Sequence, residues 1–207
     1  MLFTPQYEKT VREITVPIRT YVTDPERTVI VNMDTINGFF KKGNMASARL
    51  RAIIPQILRV NDYYQESPKL FFVDAHTPQS EEFETFPVHC VDKYEQEIIS
   101  ELEAYAEVGD VIAKNSTNGF FCKDYLTWLA KNRQIENIVL VGACTDTSIL
   151  QFALAQRAYW NEHDNNNRII VVENAVQTYH DDIHNGDAMH NFALFNLYMN
   201  GIKIVTL

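Results

Sequence analysis

The sequence sets ionisable and nucleophilic side chains at the ends of short apolar runs. Asp34 closes the run 28–34 and opens Asp-Thr-Ile-Asn-Gly-Phe (34–39); Asp74 and His76 follow Leu-Phe-Phe-Val (70–73); Lys114 opens Lys-Asn-Ser-Thr-Asn-Gly-Phe (114–120). A fourth run leads into Gly-Ala-Cys-Thr-Asp-Thr-Ser (142–148) and then a helical pattern. An acid and an ammonium meeting beside a strand-to-helix turn can perform acyl transfer. The acid accepts a nucleophile's proton, the lysine stabilises charge, and N–H groups at the helix start hold an oxyanion. Each residue alone reads more simply as a buried ion pair or a helix cap; at successive strand ends, together, they read as a site.

A second constellation overlaps the first. Asp74, His76, Glu82 and His89 offer two carboxylates and two imidazoles within reach of one folded loop. Such nitrogen and oxygen donors suit Zn²⁺, with Mn²⁺ or Fe²⁺ as alternatives. A polar loop with two surface histidines is the plainer reading of the same spacing. Tyr-His-Asp-Asp-Ile-His (179–184) is a weaker cluster, read as a solvated helix entry, and His163 and His190 have no evident partner.

The elements that must position these groups follow from periodicity. Six β-branched or apolar runs, 28–34, 70–74, 110–113, 137–142, 168–172 and 202–206, read as strands. Helical patterns fall between or after them at 46–64, 95–106, 123–132, 145–161 and 187–200, the first with Leu50, Ile53, Ile54, Ile57 and Leu58 as an apolar stripe. Alternating strands and helices predict a three-layer α/β/α domain with a six-stranded, mainly parallel sheet, ligands gathering at the strands' carboxyl ends. The 207 residues read as a single domain, with 1–27 as an N-terminal arm or edge strand.

Composition excludes some partners. The formal charge of −9, with no basic cluster, disfavours nucleic acid and anionic membrane surfaces. No apolar run is long enough to span a bilayer, and residues 1–9 do not read as a secretion signal. Three cysteines without a CxxC pair suit a reducing cytoplasm better than a disulfide scaffold.

The strand-Asp-x-x-Asn-Gly-Phe start at Asp34, Lys114 with its downstream Asn-Gly-Phe, and Val-Gly-x-x-Thr-Asp (141–146) resemble the three signature segments of the isochorismatase-like hydrolases. Order and separation agree from about residue 28 to 207. The resemblance implies a triad of Asp34, Lys114 and residue 148, and a non-proline cis peptide at Ala143–Cys144. It also implies an oxyanion hole from the N–H groups of Cys144 and Ser148. Asp-x-His, a later Glu and Pro-x-His-Cys are similar to the metal segment of the nicotinamidase-related branch. By that likeness Asp74, His76, Glu82 and His89 bind a divalent metal. A small planar amide is then the expected substrate, with Phe39, Phe86 and Phe121 against its ring, in a homo-oligomer, dimer or tetramer.

The departure is at 148, where the family's nucleophile is cysteine and this chain has serine. A thiol ionises near pH ~8.5 and lower beside an ammonium. A hydroxyl is a far weaker acid and ordinarily needs a histidine base held by a third group. Three readings stand: a hydrolase slowed or altered by its own serine; a catalytically silent member that binds metal or ligand; and an engineered Cys-to-Ser form of an active hydrolase. A vinyl-ether hydrolase like isochorismatase itself is a further alternative, disfavoured by the metal-type segment.

Overall fold

The computed structural model describes residues 4–207, with side chains from residue 6 onward. Its strands are β1 (Val16–Pro17), β2 (Thr28–Met33), β3 (Lys69–Asp74), β4 (Asp110–Lys114), β5 (Asn137–Ala143), β6 (Arg168–Gln177) and β7 (Lys203–Thr206). Its helices are α1 (Thr4–Ile14), α2 (Asn37–Phe40), α3 (Ala48–Ala52), α4 (Ile54–Tyr63), α5 (Lys93–Gln96), α6 (Glu103–Ala106), α7 (Lys123–Lys131), α8 (Leu150–Glu162) and α9 (Gly186–Met199). Among the described residues the strands form one seven-stranded sheet in the order β1-β7-β6-β5-β2-β3-β4, every neighbouring pair parallel. None of the described helices is long and apolar enough to cross a membrane.

Six strands were predicted, and the seventh is β1, where Val16 pairs Val205 and Pro17 pairs Thr206. Two residues carry no readable period, and Pro17, lacking an N–H, is tolerated only because the strand is an edge. The predicted arm over 1–27 thus holds α1 and β1; its first three residues lie outside the described ones. Tyr7 anchors α1 on α9, with ring centroids 5.5 Å from Phe192 and 5.1 Å from Phe195.

The strands read as apolar runs because both faces of a parallel sheet are covered. Val29, Val31, Met33, Leu70, Phe72 and Leu140 pack with Trp128, Phe152 and Leu194 from α7, α8 and α9. Ile30, Phe71, Val139 and Val141 point the other way, onto Leu50 and Ile57 of α3 and α4. Asn32 interrupts this pattern yet stays satisfied, since its amide and that of Asn61 exchange hydrogen bonds of 3.2 and 2.9 Å.

Two predicted helices are broken. The segment 46–64 divides at Ile53, because Pro55 has no N–H to continue the ladder from α3 and is accommodated in the first turn of α4, where none is needed. The segment 95–106 gives α5, a 3-10 turn (Ser100–Leu102) and α6. Its middle is claimed by the loop after Asp34: Asn37 N–H donates to Glu97 O at 2.8 Å, Ile99 N–H donates to Thr35 O at 3.0 Å, and Ile98 bridges Ile36. Pairing to a distant segment overrides the local helical pattern, and it pins the chain that leaves β2.

From β2 the sheet grows through β3 to β4 on one side and from β5 through β6 to β7 on the other, so its order reverses between β2 and β5. Crevices at such reversals collect ligands. Gly142 permits β5 to close on β2 here. Its φ is +111°, and a Cβ would lie 2.1 Å from Met33 O. We expect Gly142→Ala to cost on the order of 3 kcal/mol or more, read as a fallen urea midpoint with an unchanged slope. A midpoint within error of the native chain would refute this account of the β2–β5 contact.

Candidate active site

Asp34 leaves β2 with φ +48° and is fully buried. Its N–H donates to Phe72 O at 3.0 Å, which fixes it against β3. Asp74 and Lys114 are register partners at the ends of β3 and β4, so their side chains leave the sheet together. The Lys114 ammonium lies 2.9 Å from Asp34 Oδ2 and also contacts Asp74 Oδ1. One buried cation therefore serves two buried carboxylates.

That imbalance separates the two acids. Burial first, and then the charge of Asp74, push Asp34 up to about 7, against the pull of Lys114 and the Ser148 hydroxyl. Burial also works to raise Asp74, but Lys114 and His76 outweigh it and hold Asp74 below the ordinary carboxylate range. Burial opposes charge on Lys114 too, and its two carboxylates win, keeping it above the usual lysine value.

β5 ends at a cis Ala143–Cys144 peptide, at the position the resemblance indicated. The chain then makes a π turn (Thr145–Ile149) before α8 begins, a local form frequent at functional sites. Ser148, on this turn, is 3% exposed and lies beside Asp34, close enough to favour its ionised form. No other thiol replaces the missing one there. Burial pushes both Cys144 and Cys90 well above the ordinary thiol range, so both stay protonated.

Asp74 turns its second oxygen the other way. Asp74 Oδ2 is 3.7 Å from His76 Nε2 and 4.0 Å from His89 Nε2. One donor atom from each of these three residues lies within 4.8 Å of the others. Both ring nitrogens of His76 are buried without a protein partner, which is costly unless something else binds them. His89 Nδ1 is 2.7 Å from Pro87 O, an arrangement that leaves Nε2 bare toward Asp74. These residues fit a divalent metal. Glu82 stands at the rim: its oxygens accept from Thr117 N–H and Oγ1–H, each at 2.8 Å, and it lies 4.0 Å from His76 Nε2. Expected as a fourth ligand, it stands outside the tight group of the other three, held at the rim by the loop after Lys114.

Ser148, Asp74 and His89 open on a cleft of only about 20 Å³ of free volume, which Phe39, Phe86 and Cys144 also line; Asp34 and Lys114 are buried off its lining. Phe39 and Phe86 are thus where ring-contacting residues were expected. Phe121 is not; it is 72% exposed and packs edge-on to Phe120 at 5.4 Å. The 3-10 turn (Gly119–Phe121), capped by Asn118, sends Phe120 inward and Phe121 out. On the helix after Ser148, Phe152 and Trp160 are core, Leu154 is half-buried and Tyr159 is 40% exposed.

An isochorismatase-domain family model matches residues 28–205. The chain belongs to the isochorismatase family. It is similar to nicotinamidase 1 of Arabidopsis thaliana, 28% identical over 141 residues, which cover 59% of this chain and 57% of that relative. Its fold is similar to the crystal structure of a pyrazinamidase/nicotinamidase from Streptococcus mutans, with TM-score 0.72, 21% identity, and 86% of this chain and 99% of that one covered. It is likewise similar to a pyrazinamidase of Pyrococcus horikoshii crystallised in complex with zinc, with TM-score 0.71, 18% identity, and coverage of 87% and 99%.

This isochorismatase-family chain also places residues that spacing did not reveal. His184 Nε2 is 2.6 Å from Asp146 Oδ2 in the π turn, its Nδ1 is 3.1 Å from Tyr179 O, and its ring stacks on Tyr179 at 3.9 Å. The segment 179–184 is therefore a wall of the site rather than a metal cluster. Both nitrogens of His184 are engaged, so it is not arranged as a base for Ser148. His190 Nδ1 meets Thr145 Oγ1 at 2.9 Å, and burial first, then the charge of Arg49, lowers it to about 4, so it is neutral near pH 7. No sequence pattern links His184 to Asp146; only the extension of β6 to Gln177, beyond the predicted end at 172, carries 178–184 over the cleft.

Proposed function

We propose that this site is built to hydrolyse the C–N bond of a small planar amide of the nicotinamide kind. The observation that carries the reading is the grouping of Asp34, Lys114 and Ser148, from three distant stretches of chain, behind one cleft that Ser148 lines. Residue 148 attacks the carbonyl carbon while Asp34 takes its proton and returns it to the leaving nitrogen. The amine departs, leaving an ester on Ser148, or a thioester were a cysteine present. Water then attacks the acyl carbon, Asp34 accepts its proton and passes it to the departing Ser148 oxygen, and the acid is released. Lys114 keeps Asp34 oriented and offsets its charge, and the N–H groups of Cys144 and Ser148 are assigned to the oxyanion.

Asp74, His76 and His89 would hold the metal, zinc before manganese or iron, which when bound supplies a Lewis acid beside the cleft. We expect the full chain to bind about one zinc per molecule by equilibrium dialysis, and His76→Ala to weaken that affinity at least ~100-fold. Equal retention by both proteins would remove His76 from the ligand set.

A second reading, a silent member that keeps the cleft for binding, is favoured by one observation: among the described residues no histidine is hydrogen-bonded to Ser148, and His184 has both nitrogens engaged elsewhere. Ammonia release from nicotinamide, with zinc present, by the native chain and by Ser148→Cys separates the two. Turnover by both supports a serine hydrolase, and turnover by the cysteine form alone supports a site silenced at one atom. If neither form cleaves nicotinamide or any other small amide, the hydrolase reading fails.

A further inference from the structure

The inner cleft, with about 20 Å³ of free volume, has room for about one water as its side chains stand, so a ring-bearing head enters only when a lining side chain moves. Directly outside it lies a second compartment of about 570 Å³, within the range of small-molecule sites. The two are separated by one layer of side chains, because Met45, Phe86 and Tyr179 line both. The outer walls add Ala46, Pro87 and Ile183, with polar residues, among them Asn44, Thr85, His180 and Asp181, between them. Ile183 is 98% exposed at the rim, an apolar residue in an otherwise polar loop.

The three dividing residues differ in mobility. Tyr179 is stacked on His184, which is tied to Asp146 in the π turn. Phe86 is tied at its main chain by its N–H donating to Glu82 O at 2.8 Å, and its ring meets His89 edge-on with centroids 6.4 Å apart. Met45 has an unbranched side chain with three rotatable bonds, so it is the member able to swing aside. When it does, the inner cleft opens into the outer compartment rather than directly to bulk water.

We propose that the substrate is bipartite: a planar carboxamide head beside Ser148 and an apolar or aryl extension in the outer compartment, with Met45, Phe86 and Tyr179 determining specificity at the junction. An apolar extension matches Met45, Ala46, Phe86, Pro87 and Ile183, which would otherwise stay wet. This rests on the reading of the inner cleft as an amide site.

The test compares nicotinamide with 5-phenylnicotinamide, which keeps the head and adds a ring, by calorimetry on the zinc-loaded native chain. The phenyl compound should bind about tenfold more tightly or better. In Ile183→Asp, a change at the exposed rim that leaves the core intact, the ratio of the two affinities should fall toward one. In Met45→Ala it should rise. Using the ratio cancels any general loss of affinity in a variant. Nicotinamide binding with equal or weaker binding of the phenyl compound overturns the bipartite substrate and leaves the amide site standing. A phenyl gain untouched by Ile183→Asp and Met45→Ala overturns it too. If zinc binds but neither amide does, both readings fall.

Discussion

Ser148→Cys raises kcat/KM for nicotinamide hydrolysis on the order of 10³-fold or more over the native chain, if Asp34 is the proton acceptor that the geometry makes it. A carboxylate that titrates at about 7 lies close enough to a thiol's ~8.5 to exchange a proton with it readily. It is too weak a base for a hydroxyl, whose acidity is many orders lower. The exchange adds one larger atom at a site already facing the cleft, so folding should be little affected. The pH profile gives an independent check. Below about 7 Asp34 is protonated and cannot accept, so activity of the cysteine form should climb as pH rises through that value. Asp34→Asn should abolish both the climb and the gain. A cysteine form no faster than the native chain, with the fold intact, would remove the triad assignment.

Lys114→Met should be the most damaging substitution to stability within the site. Lys114 is 1% exposed at its side chain and is the cation between Asp34 and Asp74. Breaking a buried pair from one side leaves uncompensated charge and costs ~3–5 kcal/mol, or roughly 10 °C in Tm for a chain of this size. The sign with pH follows from the carboxylates. Without the ammonium, both acids have folded pKa values raised above those of the unfolded chain, so their stability is present at low pH and is lost as pH rises. The deficit of Lys114→Met should therefore be larger at pH 8 than at pH 5. A deficit that is small and flat across that range would mean the lysine is solvated, contrary to its burial.

Most parts of this protein that were legible in its sequence share a physical cause. Asp34, Asp74 and Lys114 stood out because a charged residue closing a β-branched run has no packing reason to be there, and parallel strands bring such ends to one edge of the sheet. The Thr-Asp turn before Ser148 was legible through its likeness to the third signature segment of the family. What stayed hidden depends on contacts between distant segments. The stretch 97–99 has a helical pattern but pairs with 35–37. Phe120 and Phe121 are adjacent and identical, and only the 3-10 turn decides which is buried. Glu82 has the right type and place for a metal ligand, and two bonds from Thr117 draw it aside. His184 reaches Asp146 only because β6 runs on past its most apolar residues.

The close approach of Gly142 to Met33 is set entirely by main-chain atoms. The side chain at 148 contributes nothing to that bend, so reactivity and foldability are encoded by different letters of the chain. A lineage can therefore lose or regain its attacking atom by a single-residue exchange while the architecture around it is passed on unaltered. Dormant and working versions of such a catalyst should accordingly melt alike and differ only in what they turn over.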